Sequence, residues 1–228
     1  MLANCCKTKL NLKNAKLSPE YYYQSLSLCV IDAVFSIGIR YYTTRKVVIN
    51  FCNALGIKRL RVHGSAFPPT KEQFSIVDFL NLFEKHGIGK ITQTYFKNRC
   101  RTSSRNGILK SEAVRRFSEV LMKYRVNYFQ DLAHLIGDVD FGYAIKQIPG
   151  QGSGLSTSYF YMLAGDEGFI KPDRMISRFI EKCVGITGVK TDEATDLVKE
   201  AHQILKHEFP DLTLRQLDHE IWKYQKSV

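Results

Sequence analysis

The feature that most constrains this chain is the run Pro149-Gly150-Gln151-Gly152-Ser153-Gly154, set between two stretches of helical periodicity. Before it, Phe141, Ala144, Ile145 and Ile148 recur on one helical face across 138–148; after it, a second helix is predicted from about Leu155 to Ala164. Proline cannot continue a helix, and the glycines permit backbone conformations closed to other residues, so the chain must reverse in a tight turn. The helix that opens after the turn leaves N–H groups without internal partners, and glycine removes the Cβ atoms that would hold a ligand off the backbone. Such a turn suits a phosphate clamp that reads no bases, although glycine-rich turns between helices also serve purely structural ends.

Helical signals dominate elsewhere and give an all-α fold of roughly ten helices. Ser18-Pro19-Glu20 reads as a helix start leading into Leu26, Cys29, Val30, Ala33 and Ile37, and Thr43 to Leu55 as a helix ended by Gly56. Thr70 with Gln73 has the form of a capping box ahead of Phe74, Val77, Phe79, Leu80 and Phe83. Ser111 can cap a helix through Tyr124, Thr191-Asp192-Glu193 caps another, and Thr213 with Gln216 makes a second capping box before Leu217, Ile221 and Tyr224. The best strand pattern, Lys58 to His63, is short. The run Leu217-Asp218-His219-Glu220-Ile221-Trp222 reads as a solvated helix face carrying an apolar stripe.

With 44% apolar residues the chain can bury a substantial core, and no stretch reaches the roughly 18 apolar residues of a membrane span. Leu26 to Ile39, which carries Asp32, reads as a core helix whose carboxylate needs a buried partner. The N-terminus lacks the basic-then-apolar order of a secretory signal, so an intracellular protein of the cytoplasm or nucleoid is expected, as a monomer. Its six cysteines include no CxxC, which removes zinc-finger and iron–sulfur spacings and leaves Cys29 and Cys52 as reduced core residues. The net charge of +11 fits a polyanionic partner or a lysine-rich surface equally. The loop Arg99 to Leu109 is basic, small and polar, which suits either a phosphate grip or a solvated loop.

Downstream of the turn, Lys171-Pro172-Asp173-Arg174-Met175-Ile176 places a proline and an aspartate ahead of a new helix, with Asp173 at its N-cap. Ile148-Pro149-Gly150-Gln151-Gly152 followed by this Pro-Asp step resembles the helix-hairpin-helix (HhH-GPD) superfamily of DNA glycosylases, which includes endonuclease III and the 3-methyladenine and 8-oxoguanine glycosylases. Ile31 to Ile39 is similar to an early helix of that family, and Gly107 to Ala113 to the Gly-x-x-x-x-Lys-Ala start of its central helix. The resemblance implies two helical lobes with a cleft between them: a central lobe over about 45–160 ending in the hairpin, and a second built from 1–44 plus 165–228.

It also implies base excision from double-stranded DNA, with Asp173 as the catalytic carboxylate and Pro149, Gly150, Gln151, Gly152, Ser153 and Gly154 as the phosphate-binding hairpin. Gly154 stands where bifunctional relatives carry a Schiff-base lysine, so water is the expected nucleophile. Lys171 and Lys146 are the nearby lysines that a relocated lyase activity would use. Only Cys183 follows Asp173, so no iron–sulfur cluster is expected. A monovalent or divalent cation at the hairpin is compatible with the resemblance. Gly38, Arg40, Tyr41 and Tyr159 are candidates for the base pocket or for filling the gap left by an extruded base, and Tyr42, Tyr143, Tyr161 and Trp222 for stacking. Two other readings use the same residues: a non-catalytic helix-hairpin-helix DNA-binding protein, and a helical scaffold for protein partners.

Overall fold

The computed structural model describes residues 1–62 and 64–227, and among them the chain is all-α. Its helices are α1 (Leu2–Lys9), α2 (Leu26–Phe35), α3 (Tyr41–Leu55), α4 (Ile76–Lys90), α5 (Lys110–Lys123), α6 (Val139–Lys146), α7 (Leu155–Leu163), α8 (Arg174–Val184), α9 (Thr191–Leu205) and α10 (Leu214–Ser227). The strand pattern at Lys58 survives only as an isolated bridge between Leu60 and Tyr23; His63 lies outside the described residues. None of these helices is long and apolar enough to cross a membrane.

Two units emerge, Pro19–Ala164 and Met1–Ser18 with the chain from Gly165 onward. Residues 19–44, grouped above with the termini, belong to the central unit, because α2 packs there against α3, α5 and α7. Helix α2 is mostly apolar and wholly buried, Ser27 and Asp32 included. Its Asp32 accepts hydrogen bonds from Tyr23 Oη and Ser36 Oγ, both at 2.7 Å, the partners a buried carboxylate requires. Beside it, Phe51 meets Phe79 and Phe96 with ring centroids 5.2 and 5.6 Å apart, and Phe117 meets Phe160 at 5.1 Å.

In the terminal unit, α1 joins α8, α9 and α10 around Leu2, Cys6, Phe179, Ile180, Val198, Leu205, Leu217 and Ile221. A disulfide ties Cys5 of α1 to Cys183 of α8, with Cα atoms 5.7 Å apart. Burial pushes the neighbouring Cys6 thiol up to about 12, so it remains protonated and inert.

Several helix starts differ from the sequence reading. Pro19 begins a single 3-10 turn, and α2 starts only at Leu26. Gln73 donates instead to the Pro68 carbonyl at 2.7 Å, and α4 is capped by Ser75, which accepts from Asp78 N at 3.0 Å; Val77 consequently faces solvent. Ser111 lies inside α5, where it pairs with Thr92. The Thr213–Gln216 box forms as expected: Gln216 Oε1 accepts from Thr213 N and Thr213 Oγ1 from Gln216 N.

Candidate active site and phosphate-binding turn

Helix α6 ends at Lys146, the chain turns through Pro149 to Gly154, and α7 begins at Leu155. Gly150 and Gly154 hold φ of 87° and 72°, a left-handed backbone that glycine adopts at no steric cost. The turn closes through Gln151 N to Ile148 O at 2.9 Å and Gly154 N to Gln151 O at 3.0 Å. The amides of Gly152, Ser153 and Ser156 donate to no acceptor among the described residues. Around them, Gln151 Oε1, Ser156 Oγ and Thr157 Oγ1 are buried without a hydrogen-bond partner, as is Thr102 Oγ1 across the turn. Open donors at the start of a helix, where its dipole is positive, suit an anion. A cation at this turn would draw on carbonyls and Gln151 Oε1, since no His, Cys, Asp and Glu grouping among the described residues could hold a metal.

The turn lies directly on the basic loop. A Cβ added to Gly150 would collide with the Thr102 side chain and come within 2.8 Å of its Oγ1. Arg101 and Arg105 on the same loop are exposed, and the Arg101 guanidinium donates to Gly107 O at 2.7 Å within the loop. Just before the loop, a depression of about 380 Å³ is lined by Thr92, Gln93, Lys97, Asn98 and Arg99. Lys146 returns over the turn: a Cβ on Gly154 would fall 2.9 Å from its Cε and 3.7 Å from its Nζ.

In the terminal unit, Asp173 is half-buried and caps α8, its Oδ1 accepting from Met175 N at 2.8 Å. Asp218 of α10 lies beside it, 4% exposed, and accepts the Lys171 N–H at 3.0 Å. Burial, reinforced by repulsion from the Asp173 carboxylate, pushes the Asp218 carboxyl up to about 8; the Lys171 N–H and ammonium offset part of this. The run 217–222 is therefore no solvated face. Arg215, Asp218, His219 and Glu220 are all buried, because α10 packs on both α8 and α9. Their partners explain how: Arg215 binds Glu167 at 2.9 Å, Glu220 binds Lys223 at 2.7 Å, and the His219 ring stacks on Trp222. A sequence pattern cannot separate a charged surface from a charged interior when burial is set by packing against α8 and α9.

The raised Asp218 has a thermodynamic signature. An unfolded Asp titrates near 3.9, so the folded state alone keeps the proton between about pH 4 and pH 8. The stability this proton contributes is fully present below about pH 4 and is lost as pH rises to about 8. Relative to Asp218→Asn, the wild type is expected to lose stability by up to about 1.4 kcal/mol per pH unit across that window. Urea unfolding at several pH values measures this; parallel slopes would mean that Asp218 stays ionised when folded.

The domain of unknown function DUF8548 matches residues 1–226. The chain belongs to the DUF8548 family. No curated protein and no solved structure matches it.

The remaining candidates on this DUF8548 chain divide sharply. Tyr41 and Tyr159 come together with Tyr23 around Asp32: the Tyr41 hydroxyl bonds to Tyr23, and burial and the nearby Asp32 hold both the Tyr23 and Tyr41 hydroxyls well above the ordinary phenol range. Gly38 takes a left-handed turn at φ 72° after α2, and exposed Arg40 precedes α3. Tyr42 and Tyr143 are exposed, whereas Tyr161 is buried and donates to Leu135 O at 2.6 Å. Lys171 engages Asp218 through its backbone. Lys110, which the sequence marks only as one position of the Gly107–Ala113 stretch, is buried in the central unit and donates to the Phe35 carbonyl at 2.8 Å and to Ile37 O, closing the end of α2.

Proposed function

We propose that this protein binds double-stranded DNA through the Pro149–Gly154 hairpin and excises a damaged or modified base, with Asp173 as the catalytic carboxylate. The observation that carries the reading is the hairpin itself: open amides at the head of α7, set against an arginine-bearing loop. A backbone clamp beside a basic loop grips phosphates irrespective of sequence, as an enzyme that must first search a duplex requires. The central unit then supplies affinity and the terminal unit supplies chemistry.

In that chemistry, the bond between the base nitrogen and C1′ breaks with its electron pair leaving on the base, and positive charge develops on the sugar. A fixed carboxylate stabilises that charge and takes a proton from the water that attacks C1′; that proton passes through solvent to the departing base, which regenerates the carboxylate and leaves an abasic site. Gly154 offers no amine, so the nucleophile is water.

Mass spectrometry of bases released from duplexes carrying alkylated, oxidised and otherwise modified bases tests this reading, together with the salt dependence of binding. Affinity is expected to fall steeply with added salt. Gly152→Asp places a carboxylate among the open amides at an exposed position with no side-chain neighbour within 4 Å; it should weaken duplex binding by about tenfold or more at unchanged Tm. If neither base release nor salt-dependent binding is found across the panel, the reading fails.

One observation favours a second reading, a glycosylase with lyase activity. The Lys146 amine lies over Gly154, the position from which bifunctional relatives project their lysine. Borohydride trapping on abasic DNA decides between the two, since an adduct that disappears in Lys146→Gln would make Lys146 the Schiff-base residue.

A further inference from the structure

The backbone of Lys171 links the Asp218 carboxyl to the backbone of Asp173. The Lys171 N–H donates to Asp218 Oδ1 at 3.0 Å, while the Lys171 carbonyl accepts the Asp173 N–H at 2.6 Å. The side chain of Asp173 is meanwhile tied to Met175 N. Asp218 is anchored on α10, which packs on α8, so the residue gripping the Lys171 N–H belongs to the core that also holds the helix capped by Asp173. We propose that Asp218 is a positioning residue for Asp173, fixing through the backbone of Lys171 where the catalytic carboxylate stands. The inference rests on the reading of Asp173 given above.

The arrangement works while one of the two acids is neutral. With Asp218 protonated, Asp173 is the single negative charge offered to the sugar, and the pair does not repel. Once Asp218 ionises near pH 8, two neighbouring carboxylates repel each other across the Lys171–Asp173 segment and the geometry loosens. Asp173 at the head of α8 and Lys171 before it act on Asp218 directly. On α10, Arg215 is taken by Glu167, Glu220 by Lys223, and His219 stacks on Trp222. On α9, His202 is bonded to the Leu212 carbonyl.

The test pairs kinetics with a titration that needs no activity. The Asp218 carboxyl carbon is followed by NMR in the full chain: its midpoint is expected near 8 in wild type and clearly lower in Asp173→Asn. Single-turnover base release by wild type is expected to fall as pH rises through 8. Asp218→Asn keeps an oxygen for the Lys171 N–H and cannot ionise, so it should retain most of the neutral-pH rate and lose the alkaline fall. Asp218→Ala removes the grip and should slow release by about tenfold or more at unchanged duplex affinity.

An Asp218 midpoint that ignores Asp173→Asn, or an alkaline fall that persists in Asp218→Asn, overturns the inference while leaving base excision intact. A coupled pair in a chain that releases no base overturns the excision reading, and the positioning role with it.

Discussion

Asp173→Asn is expected to reduce base release by on the order of a thousandfold or more while leaving duplex affinity and fold unchanged. The helix start makes this substitution unusually clean. Asp173 accepts the Met175 N–H at 2.8 Å as the N-cap of α8, and asparagine caps a helix as well as aspartate does. What asparagine lacks is the negative charge that steadies an oxocarbenium-like sugar and the basicity that takes a proton from water. Loss of turnover at constant Tm and constant affinity therefore isolates the charge. Binding is unaffected because the proposed phosphate contacts lie in the other unit, on amides and arginines that this change does not touch. An Asp173→Asn variant that still releases base at the wild-type rate would remove Asp173 from the chemistry.

How far such a site can be read before the fold is known depends on whether its signal is local. Asp173 was legible because N-capping is a local event: a Pro-Asp step, then an apolar helical run. The turn at Pro149 was legible for the same reason, since its glycines answer a backbone demand made within a few residues, and Gly56 and Gly185 end α3 and α8 in left-handed conformations on that logic. The same logic misled at Thr70. Two overlapping cap signatures compete there, and Ser75 with Asp78 prevails because Gln73 is drawn off to the Pro68 carbonyl and Gln130.

Asp218 was not legible at all. Its partners, Lys171 and Asp173, lie in a segment far from it in the chain, and a buried acid flanked by His219 and Glu220 has the composition of a solvated face. The Cys5–Cys183 disulfide is hidden in the same way, spanning 178 residues. The division into units also turns on long-range packing: only the contacts of α2 reveal that residues 19–44 belong to the centre.

Lys110→Met is expected to destabilise the fold by about 3–5 kcal/mol, equivalent to roughly 10 °C in Tm. Lys110 is 2% exposed, and its ammonium donates to the carbonyls of Phe35 and Ile37 and, at 3.4 Å, of Val34. These are carbonyls at the close of α2, where helix geometry leaves acceptors unpaired and the dipole is negative, so a lysine there meets both demands. Methionine fills similar volume but donates nothing, which strands buried acceptors with no route to water.

The consequence extends to function, because the carbonyls that Lys110 holds immediately precede Gly38 and Arg40, in the segment proposed to meet the gap left by an extruded base. A Lys110→Met protein examined well below its Tm should therefore release base more slowly while binding duplex normally. Lys110→Arg supplies the test of mechanism. It keeps the charge but replaces a compact ammonium with a planar fork too large for a site closed on three carbonyls, so it should recover less than half of the lost stability. Full recovery by arginine would mean that charge alone, rather than three convergent hydrogen bonds, secures the end of α2.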